Sequence, residues 1–413
     1  LVFSLLRRNR DVRMLFGAQV VSYLGDWFTF VALAGLVEDV TNSRFLVSLV
    51  LVSMTIPGLL MSPVAGSFAD RFDRRKILIV VSLLQAVAAL FLLMHSTVGI
   101  WITFASQCAI AALASFVGPC TSAAIPNITD NEEDLRRTNA LFGSTWGIML
   151  AVGAALGGVF AGAFGRNAAF IADAISFVVA GALFAGVKRP MQSERAATTS
   201  TTRRVRPIAD MKEAIHVAKQ DKIILALLCS KMTFAVGAGI VSQLAVLASN
   251  VFHVGDAGRG LLIGVRGIGS GLGPIIGARI AGRDMAKLLK VCGFAGLIFS
   301  VCYLGAALSP FIGMAAVFIA LAHLSGGAQW TLSTLGLQMQ SPDHVRGRVM
   351  AGDMALVNLM IGCTSILAGI TSELLGVRPA IIIFAVAAAI ASVIYILLTA
   401  GLRRSLHTET QQQ

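Results

Sequence analysis

The chain has 413 residues, 56% of them hydrophobic and only 13% charged, where soluble domains carry about 25% charged residues. Nearly every window of twenty residues is apolar, which excludes a water-soluble fold split into two or three polar-linked domains. The formal net charge of +12, from 33 Lys and Arg against 21 Asp and Glu, is therefore tested against membrane topology before nucleic acid is considered.

Apolar stretches of about 20 residues or more predict twelve spanning helices, at 14–37, 45–69, 77–97, 99–125, 138–163, 167–187, 223–251, 258–281, 285–307, 310–338, 349–374 and 379–401. The fold class expected is an all-α polytopic membrane protein of two six-helix pseudo-symmetric bundles. Strands of a membrane barrel would instead be about ten residues long and alternate polar with apolar. The first stretch follows a basic opening (Arg7, Arg8, Arg10, Arg13) as a signal peptide would. It is too long for one, at about 24 residues, and lacks a small-x-small cleavage site, so it is read as a retained first span. Of the 33 Lys and Arg, 25 lie in the N-terminus, the even-numbered loops and the C-terminus, and only Arg44, Arg166, Arg378 and, at the very start of span 8, Arg259 lie at odd-numbered loops. This bias predicts cytoplasmic termini and accounts for the net charge without nucleic acid. The division expected is 1–188 for the first bundle, 189–222 for a cytoplasmic linker with a surface helix near Ile208 to Val217, 223–402 for the second bundle and 403–413 for a polar cytoplasmic tail. The six cysteines fall inside apolar runs without Cys-x-x-Cys spacing, so neither a disulfide framework nor a metal site is expected.

The two halves repeat each other. A shift of 211 places Pro63 on Pro274, Gly66 on Gly277, Lys76 on Lys287 and Leu78 on Leu289, and duplicated halves are how many secondary transporters build a site at the midplane. Between spans 2 and 3, Gly66, Ala69, Asp70, Arg71, Arg74, Arg75, Lys76 and Leu78 resemble the Gly-x-x-x-Asp-Arg-x-Gly-Arg-Arg motif of the major facilitator superfamily, with Asp73 in place of its second Gly. Asp, like Gly, tolerates the left-handed turn expected at that position. The segment Pro342, Asp343, Val345, Arg346, Gly347, Arg348, Val349 and Met350, with Tyr23, Gly25 and Asp26, is similar to the bacterial branch containing macrolide-efflux and enterobactin-exporter carriers.

That resemblance covers almost the whole chain. It implies alternating access, a monomer without cofactor in the bacterial cytoplasmic membrane, and a small-molecule substrate, protons and membrane lipid as partners. It also implies that Gly66, Asp70, Arg71 and Arg74 form a cytoplasmic gate, with Asp70 near the N-terminal end of span 11, where the helix dipole favours a carboxylate by about 0.3 to 1 kcal/mol. Gly153, Gly157 and Gly158 in span 5 resemble the antiporter-associated Gly-Pro-x-x-Gly-Gly motif without its Pro, and the same spacing also lets two helices pack closely. The superfamily's Arg in span 4 is missing, Gln107 being the most polar side chain before Thr121, so proton handling falls to other residues.

Ionisable side chains deep in a span cost at least about 2.5 to 3.5 kcal/mol on insertion scales, which makes each a functional candidate. Asp26, about 18 Å into span 1 at the helix rise, lies near the midplane and is the first candidate for proton or cation binding. His323, Asp173 and Asp353 are further candidates, the two aspartates also readable as gate or packing partners. Arg266, among the glycines of span 8, is the natural counter-ion for a carboxylate or an anionic substrate, and Lys231 is expected to snorkel to the cytoplasmic surface. Tyr23, Gln329 and Asn358 are candidate cavity-lining residues.

The function expected is proton-coupled efflux of a hydrophobic or amphipathic compound, drug- or macrolide-like. The alternatives are an exporter of an endogenous metabolite such as a siderophore or lysophospholipid, and an uncoupled facilitator. No intramembrane catalytic constellation and no ATP-binding motif is present, so an enzyme is not expected.

Overall fold

The computed structural model describes residues 2–192, 220–281, 284–341 and 343–411; the expected linker helix near Ile208 to Val217 lies outside them. Twelve helices among the described residues are long and apolar enough to cross a membrane: α1 (Arg10–Thr41), α2 (Arg44–Gly66), α3 (Arg74–Val98), α4 (Trp101–Ile128), α5 (Glu132–Phe164), α6 (Arg166–Ala185), α7 (Lys222–Val251), α8 (Asp256–Ala281), α9 (Met285–Leu308), α10 (Ile312–Gln340), α11 (Val349–Leu375) and α12 (Val377–Leu398). They fall on the twelve predicted stretches, and no strand occurs among the described residues. Beyond α12, Ala400–Gln411 is a helix, whose Leu402 and Leu406 pack against the buried cluster that contains Ile224, Leu288 and Leu289.

Helix α3 shows why these segments fold as they do. Val80, Leu83, Leu84, Val87, Leu90 and Phe91 are exposed and form one stripe at helical spacing, while Leu78, Val81, Ser82, Gln85, Ala88 and Ala89 are buried on the other face. Only large apolar side chains thus face the hydrocarbon, and the small and polar ones face neighbouring helices together with Leu78 and Val81, as close packing inside a membrane favours.

The helix ends are set by two kinds of local chemistry. Asp73 accepts a hydrogen bond from the backbone N–H of Lys76, and Asp284 accepts one from that of Lys287, each at 3.1 Å. These residues are again 211 apart, so the internal repeat extends to the helix caps. Asp73 has φ −59° and ψ 112°, so the left-handed turn expected there does not form: the carboxylate caps α3 instead, and a capping residue needs an extended ψ rather than a positive φ. Asn131 and Asp221 cap α5 and α7 in the same way. The intervening reversals use positive φ at Asn42, Gly99, Gly165, His253 and Gly376. At Gly165 (φ 85°, ψ 159°) and Gly376 (φ 97°, ψ 161°) the backbone occupies a region open essentially to glycine alone, which lets one helix end and the next begin across a single residue.

The chain forms two compact units, Leu1–Thr41 with Ser53–Val205, and Asn42–Val52 with Arg206–Gln413. In the first, α1 packs on α5 and α6, and α3 on α4 and α6, around Leu15, Leu78, Ile125, Ile128 and Phe184. In the second, α10 packs against α8 and α9, and α12 against α7 and α9. The segment 42–52 joins this unit through Glu373, whose Oε2 accepts from the backbone N–H groups of Arg44 (2.7 Å) and Phe45 (3.1 Å) and so caps the helix that begins there.

Glycines allow α8 to approach α10. A Cβ on Gly273 would lie 2.8 Å from the Ala328 backbone N and closer still to the Leu324 carbonyl, whereas one on Gly271 would meet nothing within 4 Å. Gly273→Val is therefore expected to remove most of the well-folded protein, because a helix backbone rather than a flexible side chain stands in the way, while Gly271→Ala leaves folding unchanged. The yield of monodisperse protein after detergent extraction measures both; equal yields would show that the α8–α10 contact yields freely.

Candidate functional site

In the first unit, Asp26 lies near the middle of α1, sixteen residues from Arg10 and fifteen from Thr41. Its neighbour Gly25 has no side chain to hold α6 away: a Cβ there would collide with the Asp173 carboxylate and with Ser176. Asp173 has no exposed surface; its Oδ2 accepts from the Thr29 hydroxyl at 2.6 Å and its Oδ1 from the Ser176 hydroxyl at 3.2 Å. Asp26 is half-buried, stands close enough to Asp173 and Tyr23 to interact with them electrostatically, and forms no hydrogen bond or ion pair with another described residue. Two carboxyl groups from adjacent spans thus sit side by side, with no cation between them among the described residues. Sequence spacing proposed Asp26, Asp173 and Tyr23 one by one; the fold brings the three together.

The glycines of α5 hold this region shut. A Cβ on Gly153 would lie 3.0 Å from Trp27 Cβ, and one on Gly157 would lie 2.9 Å from Phe28 Cα, so α5 is seated on the residues that follow Asp26. Gly158 is also buried. Close packing accounts for Gly153 and Gly157 without any special antiport chemistry.

Three of the four residues proposed as a gate have described surroundings. Arg74 is buried, donating from Nε to the Ala69 carbonyl (3.0 Å) and from Nη1 to those of Ala123 (2.8 Å) and Met191 (3.0 Å). It clamps three chain segments of its own unit, a structural task. Arg71 is exposed, and Gly66 has open space where a Cβ would stand, unlike its repeat partner Gly277, whose Cβ would lie 2.8 Å from that of Ala328. The Asp70 side chain lies outside the described residues.

In the second unit, Lys231 does not snorkel. Both Lys231 and Asp353 have no exposed side-chain surface, and they form a direct ion pair between α7 and α11. Lys231 Nζ also donates to Thr334 Oγ1 at 2.8 Å and lies 5.0 Å from the centre of the Trp330 ring; Asp353 Oδ1 has no hydrogen-bond partner. A cation held by a carboxylate, a hydroxyl and an aromatic face is stabilised where it is, so its stem does not carry it to the surface. Gln329 likewise does not line a cavity: it is fully enclosed and its Nε2 donates to the Ser230 carbonyl (2.5 Å) and Thr233 Oγ1 (2.9 Å), stapling α10 to α7. Asn358 is half-buried and donates to the Met354 carbonyl of its own helix at 2.8 Å.

A third polar cluster joins α8, α9 and α10. Tyr303, fully enclosed, meets His323 Nε2 through its hydroxyl at 2.8 Å, and Arg266 is near enough to interact electrostatically with both. The Arg266 Nε is enclosed and has no hydrogen-bond partner among the described residues. Phe299 packs against both Tyr303 and His323, with ring centroids 4.8 Å and 5.6 Å apart. Sequence reasoning proposed Arg266 and His323 but missed Tyr303. Its signal was the phenol itself, since a hydroxyl in an apolar span requires a polar partner on another helix.

Twelve membrane-length helices with polar clusters enclosed among them make up a polytopic membrane protein, and comparison with known proteins assigns the family. The chain belongs to the transmembrane secretion effector family of the major facilitator superfamily, whose model matches residues 3–411. It is 29% identical over 173 residues to the class C tetracycline resistance protein of Escherichia coli, a match covering 41% of this chain and 42% of that protein. It is 22% identical over 381 residues to the staphyloferrin A transporter of Staphylococcus aureus, covering 88% of this chain and 90% of that one. The solved structure of a bacterial homologue of the human lysosomal transporter Spinster superposes with a TM-score of 0.74 at 15% identity, over 94% of this chain and 96% of that chain. The protein is accordingly a multi-pass membrane transporter of the major facilitator fold, not an enzyme.

Proposed function

We propose that this transporter exports a hydrophobic or amphipathic small molecule across the bacterial cytoplasmic membrane in exchange for protons, by alternating access, with both termini in the cytoplasm. The observation that carries the coupling is the Asp26–Asp173 neighbourhood. Two adjacent carboxyl groups without a cation can hold one proton between them, and its arrival or departure changes the charge of the span interior by one unit. The secretion named in the family description and the small organic compounds named for the two relatives support export of a compound of that size. The energetics suffice: one inward proton releases about 2.3 kcal/mol per 100 mV and about 1.4 kcal/mol per pH unit, which together support a gradient of several hundredfold for a neutral substrate.

The reading is tested by proton release from acid-loaded inside-out vesicles on addition of substrate. A compound that discharges the gradient in wild type but not in Asp26→Asn supports it; substrate movement without protons returns the protein to the facilitator class. The orientation follows from the loop charges, and single cysteines placed at Arg44 and Arg378 should react with impermeant maleimide from the outside of intact cells. Labelling only after lysis would reverse the topology.

A further inference from the structure

We propose that Arg266, with Tyr303 and His323 beside it, anchors the negative head of the transported compound, and that the substrate class is therefore an amphipathic carboxylate with an apolar or aromatic body. This rests on the transporter reading above. It names the ligand that the second unit would hold.

The argument is one of charge balance. A guanidinium inside a span is tolerated when a counter-charge or a set of acceptors meets it. Every described carboxylate of the second unit is engaged elsewhere. Asp221 caps α7 and accepts from Gln340, Asp256 holds Arg259, and Asp284 caps α9. Asp353 holds Lys231, and Glu373 caps the helix beginning at Arg44. Arg266 forms no hydrogen bond or ion pair among the described residues.

The chemistry of the site narrows the ligand further. The planar guanidinium fork matches a carboxylate with two parallel N–H donors. One cation balances one negative charge, so a doubly charged phosphate would bring a charge with no partner. The Tyr303 and His323 pair stands next to the cation as a second polar handle. Phe234, which keeps some exposed surface and is backed by the enclosed Phe299 at 4.9 Å between ring centroids, supplies an aromatic wall against which an apolar body can lie.

The test is equilibrium binding to the full chain in lipid nanodiscs, with empty nanodiscs as the background. Three probes share one aromatic body: 1-pyrenebutyrate, its neutral amide, and the matching trimethylammonium cation. The acid is expected to bind about tenfold or more tightly than the amide or the cation, the scale of one charge-assisted contact. Arg266→Gln should erase that preference and leave amide binding unchanged, and Tyr303→Phe should weaken acid binding less. Should Arg266→Gln fail to fold, Arg266→Lys carries the test: it keeps the charge but loses the fork, so acid affinity falls while amide affinity does not. Acid binding no tighter than amide binding, or a preference that survives both Arg266 substitutions, overturns the proposal. Binding needs neither a proton gradient nor turnover, so failure of proton coupling in vesicles leaves this result standing, and the reverse also holds.

Discussion

Removing either member of the Lys231–Asp353 pair is expected to destabilise the second unit by about 3 to 5 kcal/mol, because the remaining charge would be enclosed without a partner. The two side chains have no exposed surface, so water cannot take the place of the missing ion. Lys231→Met leaves Asp353 with no hydrogen-bond donor, since its Oδ1 is already unpartnered. Asp353→Leu leaves the ammonium only the Thr334 hydroxyl and the Trp330 ring. The double variant Lys231→Met with Asp353→Leu should regain most of the lost stability, since apolar residues of similar volume often replace a buried pair at little cost. Thermal unfolding of the purified protein decides the matter: both single variants should melt several degrees lower, and the double variant close to wild type. Additive losses in the double variant would show that the two residues act independently.

The second large effect is on coupling. Asp26→Asn is expected to lower the initial rate of proton release by about a hundredfold, the scale for losing a positioned proton carrier, with little change in stability. Asp26 makes no hydrogen bond or ion pair among the described residues, so an isosteric amide breaks no contact. Asp173→Asn should differ. Its carboxylate accepts from both Thr29 and Ser176, and an amide presents one donor where an acceptor is required, so this variant loses stability together with coupling. Comparing the two separates a group that carries protons from one that holds its neighbour in place. If Asp26→Asn released protons at the wild-type rate, the carrier would have to be sought elsewhere.

Span positions were legible because length and apolarity alone decide whether a helix can cross a membrane, and the repeat was legible because residue types around the ends of α2 and α8 and the caps of α3 and α9 stayed in register. Side-chain pairing was not. Lys231 lies nine residues from Lys222 at the start of α7, close enough to the end for snorkelling to be reasonable. What overrides it is Asp353, 122 residues away, brought in by the rotation of α11 about its axis. A nearly uniform apolar sequence carries little information about that rotation, because lipid-facing and helix-facing positions use similar residues. The same ignorance placed Gln329 in a cavity when it staples two helices. Asp26 and Asp173 could have been joined in advance only through Gly25, whose missing side chain marks where another helix comes close. Asp73 was misjudged for a different reason: substitution of a turn glycine by aspartate kept the connection but changed its chemistry from a left-handed residue to a helix cap.

The decisive measurement uses inside-out vesicles with an acidic lumen reported by a pH-sensitive dye, wild type beside Asp26→Asn. They are challenged with a macrolide, a lipophilic cation, a siderophore, a lysolipid and 1-pyrenebutyrate. Proton-coupled export predicts that at least one compound discharges the lumen in wild type and fails to do so in the variant. Radiolabelled compounds crossing both membranes at equal rates, with no proton movement in either, would contradict it.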